Sequence, residues 1–167
     1  YVDKGVSLTI SDCKFENNKA ANLGGAIYQD GNSNNVKITD TVFNQKTATG
    51  GAAIQFYAES ANPYQNIEIS GCKFTNNVAT ANDAWGGSAV TFNQATGVTI
   101  TDSVFDNNFA RASGALLFDY CSDVVVNSCN FANNNATQYA GAIFFKTPRY
   151  GANVPGKFTN CNFINNT

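Results

Sequence analysis

The 167-residue chain has no histidine and no methionine, one tryptophan and three prolines, and charged residues make up only 13% of it. Without histidine, Ser-His-Asp and Cys-His triads, His-ligated zinc or iron, and the usual general base of near-neutral pKa are all excluded. Ten Lys and Arg are scattered singly against twelve Asp and Glu, for a net charge of -2. No basic stripe can therefore neutralise a run of phosphates, and nucleic acid is not an expected partner. The longest apolar runs, such as Val124 to Val126 and Ala142 to Phe145, fall far short of the roughly 20 residues that span a bilayer, so no membrane insertion of this segment is expected. The five cysteines form no C-x-x-C pair or zinc spacing, and no G-G-x-G-x-D run signals calcium. No catalytic residue, metal or cofactor is predicted.

Hydrophobic residues make up 43% of the chain, with 13 Phe, 7 Tyr, 14 Gly and 25 Asn. A disordered segment has low hydrophobicity and high net charge, and a helical bundle is rich in Ala, Leu, Glu, Lys and Arg; neither description fits. The start at Tyr1, with neither Met nor an apolar leader, reads as that of a processed or excised product.

The chain repeats itself. The segments LTISDCKFENN (8 to 18), VKITDTVFNQK (36 to 46), IEISGCKFTNN (67 to 77), VTITDSVFDNN (98 to 108), VVVNSCNFANN (124 to 134) and GKFTNCNFINN (156 to 166) are six copies of one pattern. Their anchors are Phe15, Phe43, Phe74, Phe105, Phe131 and Phe163. A second block alternates with them: GGAIYQD (24 to 30), GGAAIQF (50 to 56), GGSAVTF (86 to 92), SGALLFD (113 to 119) and AGAIFFK (140 to 146). Within the first block apolar residues alternate with polar ones: Val6, Leu8 and Ile10 share a face, as do Val36 and Ile38, Ile67 and Ile69, and Val98 and Ile100. Short strands that recur with no helical segment between them predict an all-β solenoid, a right-handed parallel β-helix of about six coils with three short strands each, filling residues 1 to 167 as one domain.

Coil stacking predicts which residues face inward. The anchor phenylalanines form one internal ladder; Phe56, Phe92, Phe118 and Phe145 form another, with Gln29 as the odd member. The third residue after each anchor is Asn18, Asn77, Asn108, Asn134 and Asn166, with Lys46 as the exception, which reads as an asparagine ladder. Glycines 25, 51, 87, 114 and 141 mark the bend at the strand entrance.

The alternation of a GGA[ILV]-like block, as at Gly24 to Ile27, with F-x-x-N, as at Phe15 to Asn18, resembles the repeat of chlamydial polymorphic outer-membrane proteins and of adhesin-like β-helix proteins of some bacteria, methanogens and protists. The blocks at Gly50 to Ile54 and Gly86 to Val90 carry an extra residue, and Ser113 and Ala140 replace the first glycine. The resemblance implies a secreted or surface-exposed right-handed β-helix acting as passenger, adhesin or structural stalk.

Cys13, Cys72, Cys129 and Cys161 share a slot with Thr41 and Ser103 two residues before the anchors. Free cysteines packed as small hydrophobes are one reading; a disulfide between Cys129 and Cys161, the pair in adjacent coils, is the other, and Cys121 stands outside the slot. Asp12, Asp40 and Asp102 recur one residue earlier, interrupted by Gly71, Ser128 and Asn160. Three long excursions, Tyr57 to Gln65, Val78 to Trp85 and Thr147 to Pro155, carry the candidate binding residues Tyr57, Tyr64, Trp85, Arg149 and Tyr150. Asn135 and Asn165 begin N-glycosylation sequons.

The leading expectation is a noncatalytic, adhesin-like structural β-helix at the cell surface or outside the cell. Its expected partner is a host or neighbouring-cell surface protein or glycan. One alternative is a subunit that stacks end to end with copies of itself into a fibre, since neither terminal coil shows a capping element. The other is a carbohydrate-active enzyme, a polysaccharide lyase or hydrolase, whose groove would need clustered acids such as the Asp12 and Asp40 pair.

Overall fold

β-Branched residues at alternate positions make each coil begin with a strand that buries one face. The computed structural model describes residues 1–31, 34–58, 64–81, 87–146 and 156–167. It stacks these strands in parallel into a first sheet of six: Leu8–Ser11, Asn34–Thr39, Tyr64–Ser70, Ala95–Thr101, Ser122–Asn127 and Gly156–Thr159. Val36, Ile67, Val98 and Val124 stand in one register, and Ile38, Ile69, Ile100 and Val126 in another, all of them buried. Val6 departs from expectation: it lies ahead of the first strand and is exposed.

The anchor phenylalanines sit in the second sheet, six strands of three residues running from Lys14–Glu16 to Asn162–Ile164. Their rings stack at centroid separations of 5.0, 4.8, 4.9, 4.9 and 5.0 Å in nearly parallel planes. The fourth sheet in the order of the coil contains Ile27–Asp30, Ile54–Tyr57, Val90–Asn93, Leu116–Asp119 and Ile143–Lys146. It supplies the second ladder, with Gln29, Phe56, Phe92, Phe118 and Phe145 in register.

Two features correct the expected coil. Five coils are complete, and among the described residues the sixth consists of Gly156–Thr159 and Asn162–Ile164. Each coil also needs a further corner, made by a third sheet of two-residue strands: Thr47–Ala48, Val78–Ala79, Phe109–Ala110 and Asn135–Ala136. Alanine recurs at the second position because this corner is tight: Ala79 and Ala110 pack with Ala52 in a small cluster of their own. At Gly87 a Cβ would collide with Ala79 and with the Gly50 backbone, and its φ of +35° adds strain for any L side chain.

The asparagine ladder is an interior hydrogen-bond chain. Asn108 Oδ1 accepts from Asn77 N at 3.0 Å and Asn77 Nδ2 at 2.8 Å, while its own Nδ2 donates to Phe74 O and Asn134 Oδ1, each at 2.9 Å. Asn134 repeats the pattern with Phe105 and Asn166. The pattern stops at Lys46, whose backbone N donates to Asn77 Oδ1 but whose side chain offers the coil below no acceptor. Asn18, in register but beneath it, is exposed. Lys46 itself is buried, its Nζ donates to Asn44 O at 2.8 Å, and burial pulls its pKa down to about 8.

The residue before each ladder position has a backbone reason to be asparagine. Asn17, Gln45, Asn76, Asn107, Asn133 and Asn165 form one row with φ between +51° and +57°. Asx residues tolerate this left-handed conformation better than other side chains, so the Asn-Asn pair divides its work: the first residue turns the chain and the second bonds inside.

Candidate functional site

The recurring carboxylates were the sequence's one hint of acid chemistry, and the backbone accounts for their position. Asp12, Asp40, Asp102, Ser128 and Asn160 have φ between +49° and +54°, and Gly71 completes the row at +61°. The slot selects for tolerance of positive φ, which Asp, Asn and Gly share. Asp40 Oδ1 fills the space that a Cβ on Gly71 would take.

All five cysteines are free. In their slot each thiol donates to the carbonyl two residues back, Cys72 to Ser70 O at 3.3 Å and Cys129 to Asn127 O at 3.3 Å. Thr41 and Ser103 do the same with hydroxyls, and their oxygens also accept from the backbone N of Cys13 and Cys72. The slot selects a small side chain with a donor. Burial pushes the thiols up, to about 11 for Cys72 and Cys129 and about 12 for Cys121, which makes them poor nucleophiles.

Of the five candidate binding residues, Tyr57 is described in full: it ends its strand on the outer face of the fourth sheet and is exposed. Tyr64 opens Tyr64–Ser70, where its backbone is in register with Ala95. Trp85, Arg149 and Tyr150 lie outside the described residues. Asn135 and Asn165 are exposed, and Asn135 Nδ2 donates to Thr167 Oγ1 at 2.8 Å.

The outer face around Tyr57 holds a cluster. Asp30, Tyr57, Asn93, Asp119 and Lys146 occupy one register position in five successive coils. Asp119 Oδ2 accepts from Asn93 Nδ2 at 2.9 Å, and Asp119 Oδ1 lies 3.3 Å from Lys146 Nζ. The carboxylate is 4% exposed, and burial raises its pKa against the opposing pull of Lys146. The Lys146 ammonium also sits 5.1 Å from the Tyr120 ring centroid. At the lower end the Tyr1 hydroxyl donates to Asp30 Oδ2 at 3.2 Å, and the Tyr1 and Tyr28 rings are 5.5 Å apart. Beside this row Gln55, Thr91 and Leu117 alternate outward yet are buried, flooring a cleft of about 200 Å³ rimmed by Leu23, Tyr57, Asn93 and Asp119.

Asn93, Asp119 and Lys146 escaped the sequence reading, which attended to the inward ladder. The available signal was simple: each is the residue after the ladder position occupied by Phe92, Phe118 and Phe145. A second, shallower depression of about 440 Å³ lies over the first sheet, where Lys37 and Glu68 pair at 3.2 Å in solvent.

Parallel sheets closing one coil upon the next, with interior ladders and a polar outer surface, define a β-solenoid. The family described as right handed beta helix region matches residues 1–167, and the chain belongs to it. No curated protein and no solved structure matches the chain.

Proposed function

We propose that this chain is a noncatalytic, adhesin-like structural segment of an extracellular surface protein, which meets a glycan or protein of a host or neighbouring cell. The observation that carries this reading is the positive-φ row at Asp12, Asp40, Gly71, Asp102, Ser128 and Asn160, because it gives the recurring acids a reason in the backbone that does not depend on catalysis. The outer surface adds two solvated ion pairs, Lys14 with Glu16 at 3.0 Å and Lys37 with Glu68 at 3.2 Å. Incubation with pectin, alginate and related polyuronates tests the absence of catalysis. Unchanged polymer is the expected result, and appearance of shortened or unsaturated products would overturn the reading. Binding to intact cells should fall when Tyr57, Tyr64, Trp85, Arg149 and Tyr150 are replaced together by Ala.

End-to-end stacking of copies is the second reading. It is supported by the apolar depression of about 500 Å³ at the last coil, lined by Ile143, Phe145, Phe158 and Phe163, with Phe163 51% exposed. Electron microscopy of material isolated from its source separates the two: thin continuous rods favour stacking, and discrete particles favour the surface segment.

A further inference from the structure

We infer that the outer face of the first sheet, which neither reading of the function uses, is where a second copy of this chain docks with its coils in reversed order. The face is open: Thr9, Asn35, Lys37 and Asn66 are exposed, and Glu68 and Thr99 are half-buried. Strand register sets its side chains in columns that run from coil to coil. One column reads Thr9, Lys37, Glu68, Thr99, and its neighbour reads Ser11, Thr39, Ser70, Thr101. On the other side Asn35 and Asn66 stand together, Asn66 Nδ2 donating to Asn35 Oδ1 at 3.3 Å.

The order of the columns carries the inference. Laid against its own reverse, the first column sets hydroxyl on hydroxyl and each charge on its opposite. A two-fold axis along the strand direction, passing between the second and third coils, makes that reversal and keeps every column against itself. Lys37 then meets Glu68 of the second copy, and by symmetry Glu68 meets Lys37 of the second copy. Each chain already pairs these residues at 3.2 Å, so the dimer closes a ring of four alternating charges. Thr39 faces Ser70 of the second copy and Asn35 faces its Asn66, groups that both donate and accept. Charge also fixes the register. An axis through the second coil opposes two Lys37 ammoniums, and one through the third opposes two Glu68 carboxylates. An axis between the third and fourth coils sets Lys37 on Val125, and one between the fourth and fifth pairs Glu68 with Lys157 but sets Thr99 on Val125. Four strands about 4.8 Å apart, with four residues rising about 3.3 Å each, make a footprint of roughly 20 by 13 Å. That is small for an interface, so the dimer is weak and forms at high concentration.

The test is sedimentation equilibrium of the full chain from micromolar to millimolar concentration. A monomer–dimer equilibrium that weakens in half-molar sodium chloride is the expected result. Lys37→Glu and Glu68→Lys, both at solvated positions, each turn two attractions into repulsions and should weaken self-association at least about tenfold. Mixing these two variants should produce a heterodimer, because one then presents two acids where the other presents two bases. The double variant, carrying Lys37→Glu and Glu68→Lys together, should dimerise like the original chain, and Lys157→Glu should leave the equilibrium unchanged. A monomer across the whole range would overturn the inference. So would a dimer or a longer end-to-end assembly indifferent to either reversal, a mixture of the two variants that stays monomeric, or a dimer lost on Lys157→Glu.

Discussion

Replacing Asn108 by Ala probes the interior amide chain at its centre. The substitution removes the acceptor for Asn77 N and Nδ2 and the donor to Phe74 O and Asn134 Oδ1. Two of these partners keep another bond: Asn77 Nδ2 still donates to Phe43 O, and Asn134 Oδ1 still accepts from Asn108 N. Asn77 N is left buried without its acceptor, at about 1–3 kcal/mol, and the other lost bonds add roughly 0.5–1.5 kcal/mol apiece. The expected loss is therefore about 2.5 to 7.5 kcal/mol, read from urea unfolding at constant m. Asn107 is the internal control, one residue away on the same turn. Its side chain is exposed and makes one bond, to Asn76 Oδ1, and its φ is +53°. Asn107→Ala should cost about 1 to 2 kcal/mol from the left-handed backbone, and Asn107→Gly close to nothing. A loss at Asn108→Ala no larger than that at Asn107→Ala would refute the claim that buried amides tie coil to coil.

Lys46→Asn should raise stability by about 1 kcal/mol at pH 7, because an amide there gives Asn18 the acceptor that lysine withholds. Lys46 titrates near 8 in the fold against 10.5 in its ordinary state, so between these values the unfolded chain binds more protons and wild-type stability rises with pH. Relative to Lys46→Asn, which cancels the opposing thiol titrations, the gain should be about 1 to 2 kcal/mol after solvent screening; a flat difference across pH 8 to 10.5 would contradict the buried ammonium. Phe105→Ala, which loses ring neighbours on both sides, should cost about 3–5 kcal/mol, and Phe163→Ala, stacked on one side and half exposed, less than half of that, both by denaturant unfolding. An aromatic disulfide reagent should label Cys13 promptly in the native protein, while Cys72, Cys121 and Cys129 react only on unfolding.

The ladders were legible in the sequence because an interior stack demands the same side chain at the same slot in every coil. Phe74 and Phe105 announce their contact by occupying identical contexts, and so do Asn77 and Asn108. The third sheet was not legible, since two residues carry no period and Thr47–Ala48, Val78–Ala79, Phe109–Ala110 and Asn135–Ala136 share only an alanine. The cleft was hidden for a different reason. Asn93, Asp119 and Lys146 come from different coils, differ in chemistry, and meet only because the strands before them are in register. Asp40 carries a backbone signal beside its acid chemistry, since its slot takes residues that tolerate positive φ.

The most direct test of the account is antibody labelling of intact, unpermeabilised cells of the source, with permeabilised cells as the reference. An extracellular surface segment predicts full labelling without permeabilisation and loss of the signal on brief treatment with external protease. Labelling that requires permeabilisation and survives the protease would contradict the surface role.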